Sequence, residues 1–223
     1  MKRTLLILGL VLVVSSGAMA VPSLQLYIDG ATYDPTTETW ISFENDFDLY
    51  VIGNGNLSDV LVSMALSTPE GIDPNGDVSI DVNGSTYGSW TWGYAPLSNI
   101  PAEWDGGDED LPTHGIYPAW YTEFSAGDFG EVGGIGDVQP PSTWNPTMGY
   151  IPGGNHLGEY KMYSISVTGD AFVHFDAYTT VNGKIDEFAP FSHDAGTGIP
   201  EPATMLLFGL GLAGAGVVRK LRK

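Results

Sequence analysis

In six segments between residues 21 and 199 the apolar side chains recur at every second position, and no stretch in that span repeats them at helical spacing. Leu24, Leu26 and Ile28 alternate with Ser23, Gln25, Tyr27 and Asp29. The same period runs through Phe47, Leu49 and Val51, through Val60 to Leu66, Val78 to Val82, Tyr163 to Val167, and Phe172 to Tyr178. An extended chain sends successive side chains to opposite faces, so the pattern predicts half-buried strands. The separators agree. Asn83-Gly84 and Asn182-Gly183 are tight-turn dipeptides, because both residue types accept positive φ. Gly30, Gly53-Asn54-Gly55, Gly71, Pro74-Asn75-Gly76 and Gly169-Asp170 punctuate the rest. The shared Val-Asn-Gly at 82–84 and 181–183 reads as two hairpin turns rather than as a repeat. The expectation is an all-β chain, with a single antiparallel β-sandwich or jelly-roll-like domain over residues 21–190.

Residues 93–157 differ from the remainder. They are rich in Pro and Gly and carry Trp104, Trp120 and Trp144 beside the acids Asp105, Asp108, Glu109 and Asp110. Linkers are poor in aromatics, so long ordered Gly/Pro/Trp-rich loops are expected, with strands near Ile116–Phe124 and Asp128–Val132. Residues 191–199 read as a stalk.

Charge is distributed as unevenly as hydropathy. The 223 residues carry 27 acids and 8 bases, a formal charge of −19. Residues 21–200 hold 26 of the acids but only Lys161 and Lys184 among the bases, a net −24. Phosphate binding needs clustered Lys and Arg, so a nucleic-acid partner is excluded. The absence of cysteine excludes disulfides and thiolate sites.

The remaining six bases flank two apolar runs. Lys2 and Arg3 precede the uncharged run Leu5–Val14, followed by Ser15, Ser16, Gly17, Ala18, Met19 and Ala20. This is the pattern of a signal peptide over residues 1–20, with Ala18 and Ala20 as the small residues that signal peptidase needs and cleavage after Ala20. At the other end Pro200-Glu201-Pro202 precedes sixteen uncharged residues, Ala203–Val218, and the cluster Arg219, Lys220, Leu221, Arg222, Lys223. As a helix that stretch reaches about 24 Å, enough for a transmembrane segment with snorkelling bases and local thinning of the bilayer. The basic cluster then stays cytoplasmic and the acidic body lies outside. Gly209-Leu210-Gly211-Leu212-Ala213-Gly214 matches a dinucleotide fingerprint in spelling alone, with no strand before it and no acid after it. Its small residues suit close packing of a membrane helix.

The run Ile199-Pro200-Glu201-Pro202-Ala203-Thr204-Met205-Leu206-Leu207 with the closing basic cluster resembles the PEP-CTERM sorting signal. The resemblance implies recognition of residues 200–223 by a membrane exosortase, in a Gram-negative bacterium that makes exopolysaccharide, and delivery to the cell surface or matrix. A second resemblance rests on Leu24–Asp34, on Leu111–Pro118 with Trp120–Phe124, and on Phe172–Tyr178. These segments look like the choice-of-anchor N group of bacterial surface proteins, which implies one extracellular domain carried on differing sorting tails.

Chemistry within the body is less sharply written. Asp73, Asn75, Asp77, Ser79 and Asp81 place oxygens at alternate positions, the start of a calcium loop. Val78 stands where such a loop needs Gly, and Gly84 where it needs a bidentate Glu, so strand acids facing solvent are the competing reading. Trp90, Trp92, Trp104 and Trp120 are candidate stacking platforms for sugar rings, against the alternative that they fill the core. His114, His156, His174 and His193 are dispersed, and His174 alternates with Phe172 and Asp176 as a packed or surface strand histidine would. No H-E-x-x-H or G-x-S-x-G motif is present. The expected function is that of a non-enzymatic, exported surface or matrix protein, structural or adhesive in an exopolysaccharide or biofilm layer. No cofactor is expected apart from Ca²⁺ at the 73–81 loop. The alternatives are a carbohydrate-binding module and a glycan-active hydrolase or lyase.

Overall fold

The computed structural model describes residues 21–37, 39–97, 111, 116–138, 156–190 and 193–198. They form two sheets, and no α-helix occurs among them. The first sheet runs β1 (Leu24–Ile28), β4 (Asp46–Asn54), β11 (His156–Thr168), β6 (Ser79–Val82) and β7 (Ser85–Tyr87), with β10 (Gly133–Ile135) also on β11. The second runs β2 (Thr32–Asp34), β3 (Thr39–Ser42), β14 (Asp194–Thr197), β12 (Val173–Val181), β5 (Leu57–Leu66), β9 (Ala119–Phe129) and β8 (Thr91–Gly93), with β13 (Lys184–Phe188) on β12.

The alternation read from the sequence decides what lies between the sheets. Leu24, Leu26, Leu49, Val51 and Ile165 of the first sheet share one buried cluster with Val62, Met64, Phe124, Val173 and Phe175 of the second. Phe47 on β4 meets Phe175 on β12 edge-on at 5.9 Å, and Phe124 on β9 meets Tyr163 on β11 at 5.0 Å. Such aromatic pairs add to the area term that holds the layers together. Both Asn-Gly turns form as expected: Asn83 and Gly84 have φ of 52° and 85°, Asn182 and Gly183 of 55° and 79°. They close the β6–β7 and β12–β13 hairpins.

The structure corrects the expectation at three places. The two strands expected near 116–124 and 128–132 are largely one strand, β9, whose register against β5 shifts between Leu57 and Leu61. Asp59 absorbs the shift at φ 53°, with its amide donating to Asp128 Oδ1 at 2.9 Å. Second, the sandwich is not wholly antiparallel, because β14 pairs with β3 in parallel. Residues 39 and 194 are far apart in the chain, so no tight turn constrains that pairing.

Third, residues 194–197 are no stalk. They form β14, fully buried between β12 and β3, and the folded body extends to residue 198 rather than 190. Ala195 and Gly196 let the strand lie close to its neighbours. A Cβ at Gly196 would stand 3.0 Å from the Val173 carbonyl oxygen and 3.3 Å from the Phe172 ring. Thr197 Oγ1 accepts the Val173 amide at 2.9 Å.

Candidate functional site

Strand β12 is buried at seven successive positions, Val173 to Thr179. Alternation accounts for half of this: Val173, Phe175 and Ala177 join the sandwich core. His174, Asp176 and Tyr178 point to the opposite face, which an isolated sandwich would leave in water. Here that face is roofed by a second apolar cluster, in which Ala95, Leu111 and Tyr117 pack with Tyr121 and Tyr178, and Leu97 and Ile116 lie against them. Polar groups trapped beneath such a roof must find partners.

They do so in two networks. Ser63 Oγ lies 2.7 Å from Tyr117 Oη, and Tyr117 Oη donates to Asp176 Oδ2 at 3.1 Å. Beyond Asp176, His174 Nε2 stands 3.3 Å from Asp176 Oδ1 and 3.5 Å from Asp194 Oδ2. In the second network Tyr178 donates a short hydrogen bond to Glu123 Oε1, which also accepts the Leu97 amide at 2.7 Å. Tyr121 Oη donates to the Tyr94 carbonyl at 2.5 Å. A further pair, His193 Nε2 and Asp137 Oδ1 at 2.9 Å, ties the start of β14 to the segment after β10.

Burial sets the titration of these groups. It raises the Tyr117 and Tyr178 hydroxyls well above their usual range, helped by the Asp176 and Glu123 carboxylates beside them. At His174 burial alone would favour the neutral ring, but Asp176 and Asp194 outweigh it and push the imidazole up to about 10. Burial raises the Glu123 carboxyl too, against the opposing hydrogen bonds from Tyr178 and Leu97.

Glu123 carries a pH prediction. A carboxyl raised on folding contributes stability that is full below its unfolded value and is lost as pH rises through the folded one. Glu123→Gln keeps an acceptor for Tyr178 and Leu97 but does not titrate. The melting temperature of the variant relative to wild type should therefore rise between pH 4 and pH 7. Parallel curves, or a relative fall, would count against a raised Glu123.

The residues singled out from sequence fall into different settings. Trp90 is corrected from platform to core: it is 5% exposed, and its indole N–H donates to the Val78 carbonyl at 2.9 Å. Trp92 and Trp120 face each other across β8 and β9, half-buried, with ring centroids 5.6 Å apart. Trp120 Nε1 donates to the Pro69 carbonyl at 3.3 Å. Trp104 and His114 lie outside the described residues, and His156 is exposed.

The oxygens of the 73–81 loop serve the local fold. Asp73 Oδ1 accepts the Asn75 amide at 2.9 Å, and Asn75 Oδ1 accepts the Trp90 amide at 2.8 Å. Asp81 Oδ1 accepts the Gly84 amide at 2.6 Å within the β6–β7 hairpin, Asp77 is exposed in the turn, and Ser79 opens β6. Among the described residues, the His, Asp and Glu side chains whose ligand atoms do converge are His174, Asp176 and Asp194, all within 4.8 Å of one another. Sequence reasoning placed His174 as a strand histidine and Asp194 in a stalk, and so missed the set. The His-x-Asp spacing on a strand was the available signal, since it puts two ligands on one face.

The described fold is thus a two-layer β-sandwich, roofed on one outer face, whose last strand ends at Thr197. Immediately beyond it, residues 198–223 match the PEP-CTERM protein-sorting motif. The motif indicates an exported protein that exosortase processes and sorts to the cell surface, as in Gram-negative bacteria. No curated protein matches the chain. Pro200, Glu201, Pro202, Arg219, Lys220, Arg222 and Lys223 fall inside the matched segment. Those residues, the helix expected over 203–218 and the expected signal-peptide residues Ala18 and Ala20 lie outside the described residues.

Proposed function

We propose that the chain is a non-enzymatic structural or adhesive protein of an exopolysaccharide or biofilm layer. Signal peptidase removes residues 1–20, the C-terminal segment holds the inner membrane until exosortase acts, and the sandwich is the displayed cargo. The observation that carries this reading is the junction at residue 198, where the sorting motif begins one residue after the last strand. The motif addresses the whole folded body. The likeness of the body to the choice-of-anchor N group agrees with such a role.

The net −24 of residues 21–200 keeps the body soluble and repels anionic polysaccharide unless divalent cations bridge the two. Cell fractionation tests the proposal. The protein should co-purify with the extracellular polysaccharide, and in a strain unable to make the polymer it should appear in the medium. Recovery of the full-length chain in the inner membrane in both strains would sink it.

A carbohydrate-binding role has one supporting observation, the half-buried Trp92–Trp120 pair at the β8 end of the second sheet. Binding to purified exopolysaccharide that is lost in a Trp92→Ala/Trp120→Ala variant with an unchanged melting temperature would favour it. Equal binding by wild type and variant would remove it.

A further inference from the structure

We propose that His174, Asp176 and Asp194 bind a first-row divalent transition-metal ion of the Zn²⁺ type beneath the roof of the second sheet. The argument begins with strand register. On β12 and β14, His174 lies opposite Gly196 and Phe175 opposite Ala195. Continuing that antiparallel register sets Asp176 opposite Asp194. Like charges directly opposite each other on neighbouring strands are unfavourable, and here both are buried, at 2% and 1% exposure. Two buried carboxylates at one cross-strand position call for a positive charge beside them, either a protonated His174 or a metal ion that His174 ligates as the neutral ring.

His174 supplies the third group, and its distances match a ligand better than a bridging donor. A single Nε2–H cannot point at two carboxylates at once, and 3.3 Å and 3.5 Å are long for charge-assisted hydrogen bonds, which run about 2.7–2.9 Å. Ligands held at about 2.0–2.1 Å from a tetrahedral ion stand about 3.3–3.4 Å from one another. The two nitrogen–oxygen separations are close to that edge length.

The surroundings also fit. Metal-bound carboxylates characteristically accept a second hydrogen bond that fixes their orientation. Tyr117 provides one at Asp176 Oδ2 and is itself held by Ser63. One imidazole and two carboxylates suit Zn²⁺, Co²⁺, Mn²⁺ or Fe²⁺, whereas Ca²⁺ takes six to eight oxygens. A dication with two carboxylates and a neutral imidazole is also charge-balanced, which matters beneath an apolar roof. The inference stands apart from the sorting reading, since it concerns the interior of the body whatever its address.

The test uses the full chain, purified in detergent and stripped with EDTA. Equilibrium dialysis against Co²⁺ should leave one ion per chain that survives a high-salt wash. It should show the visible absorption of a low-symmetry cobalt site, and Zn²⁺ should displace it and raise the melting temperature. His174→Gln and Asp194→Asn should each lose the cobalt spectrum, while Asp46→Asn, at an exposed acid, should keep it. Should a variant fail to fold, the wild-type stoichiometry, spectrum and EDTA-sensitive melting temperature still decide the matter. A wild-type chain with no washed-in cobalt and a melting temperature indifferent to Zn²⁺ and EDTA would overturn the proposal in favour of a histidine-bridged ion pair. So would a spectrum unchanged in His174→Gln, which would assign the metal to surface carboxylates.

Discussion

Trp90→Ala is expected to lower the free energy of unfolding by about 3–5 kcal/mol. The indole is almost completely enclosed in the cluster between the two sheets, so its removal leaves a void among rigid strands. Its N–H donates to the Val78 carbonyl, which would lose that partner in a buried setting. The Trp90 backbone is itself clamped by Asn75, whose Oδ1 accepts the amide and whose Nδ2 donates to the carbonyl at 3.4 Å. The segment therefore has little freedom to collapse into the gap. Against a total stability of about 5–15 kcal/mol for an ordinary domain the loss is large. Trp90→Phe, which refills part of the space but not the hydrogen bond, should cost less. Urea unfolding followed by far-ultraviolet circular dichroism measures both. A loss under about 0.5 kcal/mol for the alanine variant, the range of surface substitutions, would return Trp90 to the role of an exposed platform.

Replacing Pro200-Glu201-Pro202 by Ala-Gln-Ala should abolish delivery to the surface almost completely. Proline fixes φ and lacks an amide hydrogen, so the two prolines mark a boundary that a helix over 203–218 cannot cross. Ala-Gln-Ala has good helical propensity and would erase the boundary together with its charge. The variant chain should collect in the membrane fraction with Arg219–Lys223 still attached, whereas the wild-type surface protein should have lost them. Intact-mass analysis of both fractions distinguishes the outcomes. Equal surface delivery of the variant would show that the tripeptide is not what the processing machinery reads.

Several parts of this architecture were legible residue by residue. The period of two along Leu24–Ile28 and Val60–Leu66 follows from the geometry of an extended chain and needs no knowledge of the partner strand. The turns at Asn83-Gly84 and Asn182-Gly183 are equally local, because the φ values they require are ones that few other residues accept. Strand β14 was illegible for a matching reason. Asp194, Ala195, Gly196 and Thr197 carry no alternating apolar set, since a strand enclosed between close neighbours needs small residues rather than large ones.

Trp90 shows a different limit. It was legible as a large aromatic suited to a core or to a sugar platform, but whether it meets a second sheet or water depends on residues far along the chain. The same holds for the convergent side chains. His174 and Asp176 share a face by alternation, yet Asp194 reaches them only through a pairing set by strand register eighteen residues further on.

By itself, then, the sequence determined the strand period, the hairpin turns, the acidic surface and the sorting address, each of which is written in contiguous residues. The tertiary structure alone decided which strands share a sheet, that β14 enters in parallel beside β3, and that the outer face of β12 is roofed. These depend on non-local pairing and on the desolvation it brings. It is that desolvation, and no local pattern, that turns His174, Asp176 and Asp194 from ordinary polar residues into a buried site.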